Sequence, residues 1–253
     1  MPPTGGACMK GGRMDRSEPR AEPLGGGAIA YVTQTHGFGA DAVLLAHFAA
    51  PKPGARSADL CSGCGIVPLL WCRDDPVRAV DAVELLPEAA ELARRSAEAN
   101  GFANLRVFGQ DLRTLPAAFA GQYDLVACNP PYRPVGAGRE SADTARETAR
   151  GEAGCTLEDV ARAAARLLAG KGRFCLCQRP ARLAELFGLL AAARLEPKRL
   201  RLVQQREDAA PWLALVEARK DARPGLHVEP VLLCEQGGVA SAAWRELYKP
   251  FCP

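Results

Sequence analysis

Hydrophobic positions along this 253-residue chain change their spacing at regular intervals. Ala28-Ile29-Ala30-Tyr31-Val32 alternates, which predicts a short strand or hairpin arm within 28–35. From 41 to 50 the sequence DAVLLAHFAA sets Val43, Leu44 and Phe48 at helical spacing, and Pro51 and Pro53 end that helix. Short apolar runs then alternate with amphipathic stretches. Strands are predicted at 58–61, 79–85, 105–109, 123–128, 173–178, 199–204 and 212–219. Helices are predicted at 65–73, 87–100, 156–168 and 180–193. The punctuation agrees. Pro68 falls in or near one first turn, Pro87 opens a second helix and Asn100-Gly101 ends it. Thr156 caps a third, with Glu158 and Asp159 behind it, and Gly170 closes it.

Strands that alternate with helices of this length specify a mostly parallel sheet covered on both faces. The connection 205–211 has no room for a crossover helix, so the last two strands pair antiparallel at one end of the sheet. The expected architecture is an α/β three-layer sandwich. Its sheet is mostly parallel and seven-stranded, with an antiparallel C-terminal hairpin. Residues 1–27, rich in Gly, Pro and charge, read as a disordered lead-in, and 28–253 as one domain with a Pro/Gly-rich tail from Asp221.

Composition narrows the class. Apolar residues are 48% and charged residues 24%, as in globular proteins. No apolar run approaches the ~18 residues of a membrane span, so no membrane partner is expected. The net charge of +3 says little, but residues 171–220 hold eleven Lys and Arg against five Asp and Glu. That surplus would suit a polyanion, although a solvated face is the commoner cause. The ten cysteines are scattered, and no apolar leader opens the chain. They read as reduced thiols of a cytoplasmic protein. Cys61 and Cys64 have zinc-ligand spacing, but Cys175 and Cys177 alternate on a predicted strand and face a core, so no metal site is expected.

The chemistry-bearing residues fall at predicted strand ends, where such sheets bind ligands. Asp59-Leu60-Cys61-Ser62-Gly63-Cys64-Gly65 runs from a strand through a glycine loop into a helix. Alone it is an ordinary tight turn, and Pro68 stands where a dinucleotide fingerprint needs a third Gly or Ala. Glu84 ends the next strand; it either accepts two ribose hydroxyls or caps the helix at Pro87. Asp111 follows the third and could accept an adenine amino group, or form an Asx-turn. Asn129-Pro130-Pro131-Tyr132 directly follows the apolar strand 123–128. The prolines fix an extended backbone. The Asn129 and Pro130 carbonyls can together accept both hydrogens of a planar amino group, and Tyr132 offers a stacking face.

Together these four resemble the class I S-adenosylmethionine-dependent methyltransferases, in the amino-methylating branch marked by Asn-Pro-Pro-Tyr. The resemblance implies a cofactor-facing set of Asp59, Ser62, Gly63, Gly65, Glu84, Asp111, Leu112 and Asn129, and a catalytic set of Asn129, Pro130, Pro131 and Tyr132. Cys61 and Cys64 sit where that loop varies. A closer resemblance covers nearly the whole ordered chain. Phe38 to Ala46, Gln178 to Leu183, Leu195 to Leu200 and Arg223 to Leu226 are similar to the bacterial tRNA1(Val) adenine-N6 methyltransferase family. This implies methylation of adenosine 37 beside the anticodon of valine tRNA. Lys198, Arg199 and Arg201 are then candidates for phosphate contacts, although a basic strand edge reads equally well. The same motif serves protein-glutamine methylation of release factors, whose enzymes carry a helical substrate domain ahead of the glycine loop; about 30 ordered residues precede it here. N6-adenine methylation of rRNA or DNA is a further alternative. A redox protein using the CxxC would leave Glu84, Asp111 and residues 129–132 unexplained.

Overall fold

The computed structural model describes residues 18–130 and 155–251. The hairpin β1 (Arg20–Gly25) and β2 (Ala28–Val32) leads into α1 (Ala40–Ala49). Then come β3 (Ser57–Leu60), α2 (Ile66–Asp74), β4 (Val80–Glu84), α3 (Pro87–Ala99), β5 (Leu105–Gly109) and β6 (Tyr123–Cys128). After the second described stretch begins, α4 (Leu157–Leu167), β7 (Leu168–Gln178), α5 (Leu183–Ala192), β8 (Leu195–Gln204) and β9 (Leu213–Lys220) complete the main frame.

The central sheet runs β8-β9-β7-β6-β3-β4-β5. Strands β3 to β7 are parallel to their sheet neighbours among themselves, and β9 lies antiparallel between β7 and β8. These are the seven strands read from the sequence. The order places β3 in the middle, with β4 on one side and β6 on the other, so the chain reverses its direction of winding at β3. Every residue of β3 and β4 is buried, because helices cover both faces of a parallel sheet. One apolar cluster joins α1, α2 and the N-terminal hairpin to the sheet; the other joins α4 and α5 to its opposite face. Thr156 and Asp159 form a reciprocal capping box that starts α4.

Three expectations change. Residues 20–25 of the expected lead-in form β1, and residues 1–17 lie outside the described residues. The run Gly25-Gly26-Gly27 is a hairpin turn in which all three residues have positive φ, which glycine adopts without strain. The Asn100 side chain then docks the hairpin by exchanging hydrogen bonds with the Ile29 backbone, its Oδ1 accepting at 2.8 Å and its Nδ2 donating at 2.7 Å. The tail is also ordered. Its two-residue strands β10 (His227–Val228) and β11 (Leu232–Leu233) add to the outer edge of β8. A small hairpin, β12 (Glu235–Gln236) and β13 (Val239–Ala240), precedes α6 (Ala242–Tyr248), whose aromatics pack on the first cluster. Finally, α4 passes directly into β7 at Leu168, and Gly170 lies within the strand rather than closing the helix.

Two buried carboxylates anchor the sheet. Asp81 on β4 accepts from Arg106 at 2.7 Å twice and from the Tyr123 hydroxyl at 2.6 Å. Glu217 on β9 is paired with Arg173, Arg199 and Arg219 at 3.0–3.2 Å. Removing a buried carboxylate strands its cations, and Arg173 is itself largely buried. Glu217→Ala is expected to lower the unfolding free energy by about 3 kcal/mol, at the low end for a broken buried pair because Arg219 is half exposed. Urea unfolding reads this as a lower midpoint with unchanged slope; an unmoved midpoint contradicts the assignment.

Candidate active site

The carboxyl ends of β3, β4, β5 and β6 open onto one cavity of about 430 Å³. Asp59, Ser62, Gly63, Glu84, Asp111, Leu112, Asn129 and Pro130 all line it, so the structure brings most of the residues singled out in the sequence to one place. Pro131 and Tyr132 lie outside the described residues.

The glycine loop is shaped by backbone conformation and close packing. Gly63 and Gly65 have φ of 57° and 84°, the left-handed region that side chains resist. Among the described residues a Cβ on Gly63 would meet nothing within 4 Å. A Cβ on Gly65 would stand 2.9 Å from the Ala93 Cβ, so Gly65 lets α2 start against α3. Cys61 adopts φ of 54° despite its side chain, a strained geometry at the mouth of the loop.

Three carboxylates stand at three neighbouring strand ends in different states. Asp59 is 2% exposed, and its Oδ1 is buried without a hydrogen-bond partner among the described residues. Burial pushes its pKa well above the ordinary carboxylate value. The nearby Ser62 hydroxyl opposes this in part, and Glu84 adds to it. The Ser62 Oγ is likewise buried outside hydrogen-bond geometry. Such orphaned groups are rare in native cores. Glu84 bridges two backbone segments: its Oε2 accepts from the Gly63 N–H and its Oε1 from the Leu86 N–H, each at 2.8 Å. Asp111 accepts from the Arg113 backbone at 2.9 Å and its guanidinium at 2.6 Å, and that hydrogen bonding holds its pKa below the usual range.

Asn129 closes the far side. Its Nδ2 donates to Asp41 Oδ2 at 3.1 Å, and its Oδ1 accepts from the Cys177 thiol at 3.0 Å. Neither partner was singled out in the sequence as a site residue. Asp41 reads there as a helix-start carboxylate and Cys177 as a core thiol, because their partner lies far along the chain. The third addition is Cys155, whose Sγ lies 3.6 Å from Cys61 Sγ at the cavity wall.

The basic candidates sit elsewhere. Arg199 lies three strands across the sheet from β6 and is bound to Glu217 at 3.0 Å and to Glu229 at 2.6 Å. Its guanidinium also donates to the Phe48 carbonyl and stacks over the Phe48 ring. It therefore holds β8, β9 and α1 together. Lys198 donates to the Arg223 carbonyl, and Arg201 to the Pro230 carbonyl.

The sheet order and the ligand cavity at its carboxyl edge define a class I methyltransferase fold. A protein of Agrobacterium tumefaciens described as a predicted O-methyltransferase superposes with a TM-score of 0.68 over 84% of this chain and 97% of that one, at 24% identity. Residues 37–177 match the model of the methyltransferase small domain, and the chain belongs to that family. Among curated relatives, a tRNA1(Val) (adenine(37)-N6)-methyltransferase of Pectobacterium carotovorum is 32% identical over 72% of this chain and 74% of the relative. A Yersinia enterocolitica protein of the same name is 33% identical over 54% of this chain; the match spans only 55% of that relative's length.

The thiols at the cavity have a testable state. Hydrogen bonding with Cys128 raises the Cys61 pKa, hydrogen bonding with Cys61 raises that of Cys155, and burial pushes Cys128 to about 11. Alkylation requires thiolate. Modification by iodoacetamide, followed by peptide mass spectrometry, is expected to stay slow at Cys61 and Cys155 through pH 8.5 and to accelerate only at higher pH. Rapid labelling at neutral pH contradicts the packing described.

Proposed function

We propose that this chain is an S-adenosylmethionine-dependent methyltransferase that methylates the N6 amino group of adenosine 37 in valine tRNA. The observation that carries the proposal is the arrangement of Asn129 and Pro130 on the same cavity as Asp59, Glu84 and Asp111. The substrate is supported by the shared name of the Pectobacterium and Yersinia relatives.

The cavity suits the cofactor's chemistry. The buried Asp59 carboxylate, with the Ser62 hydroxyl beside it, matches an ammonium group. Glu84 has lone pairs remaining after its two backbone bonds, enough for both hydroxyls of a ribose. Asp111 would accept an adenine amino group, and the neighbouring Leu112 would supply an apolar contact. When bound there, S-adenosylmethionine supplies an electrophilic methyl group on a sulfonium centre.

The protein's own part is positioning and electrostatics. An aryl amine is a weak nucleophile because its lone pair is delocalised into the ring. Asn129 Oδ1 and the Pro130 carbonyl accept its two N–H bonds, which draws the nitrogen out of the ring plane and leaves its lone pair available. Those hydrogen bonds strengthen as the nitrogen gains positive charge, so they favour the transition state over the ground state. Tyr132 is the proposed stacking face for the base. Adenosine must leave any stack to enter, which an unpaired loop makes easier than a duplex. Lys198 and Arg201 remain proposed backbone contacts; with Arg199 held by Glu217 and Glu229, the grip on RNA is weaker there than the local charge suggests.

The test offers valine tRNA, a release factor and DNA in parallel, with labelled S-adenosylmethionine as donor. Nucleosides from the tRNA are expected to contain N6-methyladenosine at position 37, and Asn129→Ala is expected to lower kcat by roughly 10²–10³. Label on release-factor glutamine or on DNA, with none on the tRNA, overturns the substrate. Near wild-type turnover in Asn129→Ala overturns the mechanism.

A further inference from the structure

We propose that Asp41 is a positioning residue, which locks the side-chain amide of Asn129 with its carbonyl oxygen turned to the amine to be methylated; the inference rests on the function proposed above. Asp41 is the second residue of α1, and Asn129 follows β6, 88 residues later. Asn129 Nδ2 donates to Asp41 Oδ2 at 3.1 Å, and both residues line the cavity.

An amide side chain can be turned end for end with little change of shape, and the two ends have opposite chemistry. A carboxylate only accepts. It therefore fixes the end of Asn129 that faces it as the NH₂, and the other end as the oxygen. In the flipped state a carbonyl oxygen would oppose the carboxylate. Asn129 would then present N–H donors to an amine that has only N–H bonds to offer, and the amine would lose one of its two acceptors. The opposite end of the amide agrees with the fixed orientation: Asn129 Oδ1 accepts from the Cys177 thiol at 3.0 Å. A charge-assisted bond to Nδ2 also polarises the amide and places more negative charge on Oδ1.

The Asp41 carboxylate is itself held. Its Oδ1 accepts from the Ala42 N–H at 2.9 Å. A Cβ on Gly39 would stand 2.8 Å from that same oxygen, so glycine at 39 leaves the carboxylate room in this position. The short segment before α1 thus fixes a side chain that acts on the end of a distant strand. In this reading Asp41 never touches the substrate and acts only through Asn129.

The test compares wild type, Asp41→Asn, Asn129→Ala and the double variant at saturating cofactor and tRNA. Asp41→Asn keeps the shape and an acceptor for Ala42, but its amide pairs with Asn129 in either orientation. It is expected to lower kcat roughly 10–100-fold, the scale of a misplaced reacting group. Cofactor affinity by calorimetry and the melting temperature should stay near wild type. Added to Asn129→Ala, it should cost less than a further twofold, because a residue that acts through Asn129 has nothing left to position. A wild-type rate in Asp41→Asn, or losses that multiply in the double variant, overturns the proposal. A readout independent of turnover is the side-chain amide resonance of Asn129 in ¹⁵N-labelled protein, identified by its loss in Asn129→Ala. It should shift in Asp41→Asn, and an unmoved resonance overturns the pair. If wild-type protein transfers no methyl group to tRNA, the functional reading fails, and the pair stands or falls on that resonance alone.

Discussion

The Glu84 carboxylate is the joint on which the site hangs. It sits at the end of β4, 7% exposed, and takes the Gly63 N–H of the loop after β3 and the Leu86 N–H just before α3. Those two backbone groups lie at adjacent strand ends. One carboxylate satisfies both, so the loop and the start of α3 keep a fixed spacing. That spacing brings Gly65 against Ala93, and the loop's left-handed glycines follow from it. The cavity lies where β4 and β6 diverge on either side of β3, the place where a doubly wound sheet leaves a crevice.

Environment separates the three strand-end carboxylates into different roles. Asp59 is desolvated, and burial raises its pKa well above the ordinary carboxylate value. A carboxyl whose folded-state pKa is raised binds protons more readily when folded. Its contribution to stability is therefore present at low pH and lost as pH rises through the shifted value. The fold carries this cost at neutral pH, and a cation in the cavity reverses it by favouring the carboxylate. Asp111 lies at the other extreme, where hydrogen bonds from Arg113 keep it ionised at the rim. The same residue type is thus held in opposite electrostatic settings at two strand ends.

Much of the frame was legible because local pattern and global fold agree there. Strands 105–109 and 123–128 have the bounds that their apolar runs predict, and Pro87 opens its helix. The strand-end residues were legible for the same reason: a parallel sheet aligns its carboxyl ends whatever the helices do between. The hairpin at Gly25–Gly27 was masked by composition, since three consecutive glycines read as a flexible segment until a partner such as Asn100 holds the strand they create. The ordered tail was hidden similarly; β10 and β11 are two residues each and exist because β8 presents an open edge. The structural pairing of Arg199 was not legible because its partners Glu217, Glu229 and Phe48 are distant in sequence, so a structural ion pair and a solvated basic face look alike along the chain. Asp41 escaped notice for the same reason.

The central claim is that β3, β4 and β6 assemble one site around the Glu84 carboxylate. Calorimetric titration of S-adenosylmethionine into wild type and Glu84→Gln tests it most directly. The amide offers one acceptor oxygen where the carboxylate offers two, and its NH₂ opposes one of the backbone N–H groups. Losing a charge-assisted hydrogen bond of about 1.5–3 kcal/mol predicts at least a tenfold weaker affinity in the variant. Equal affinities in the two proteins would contradict the account.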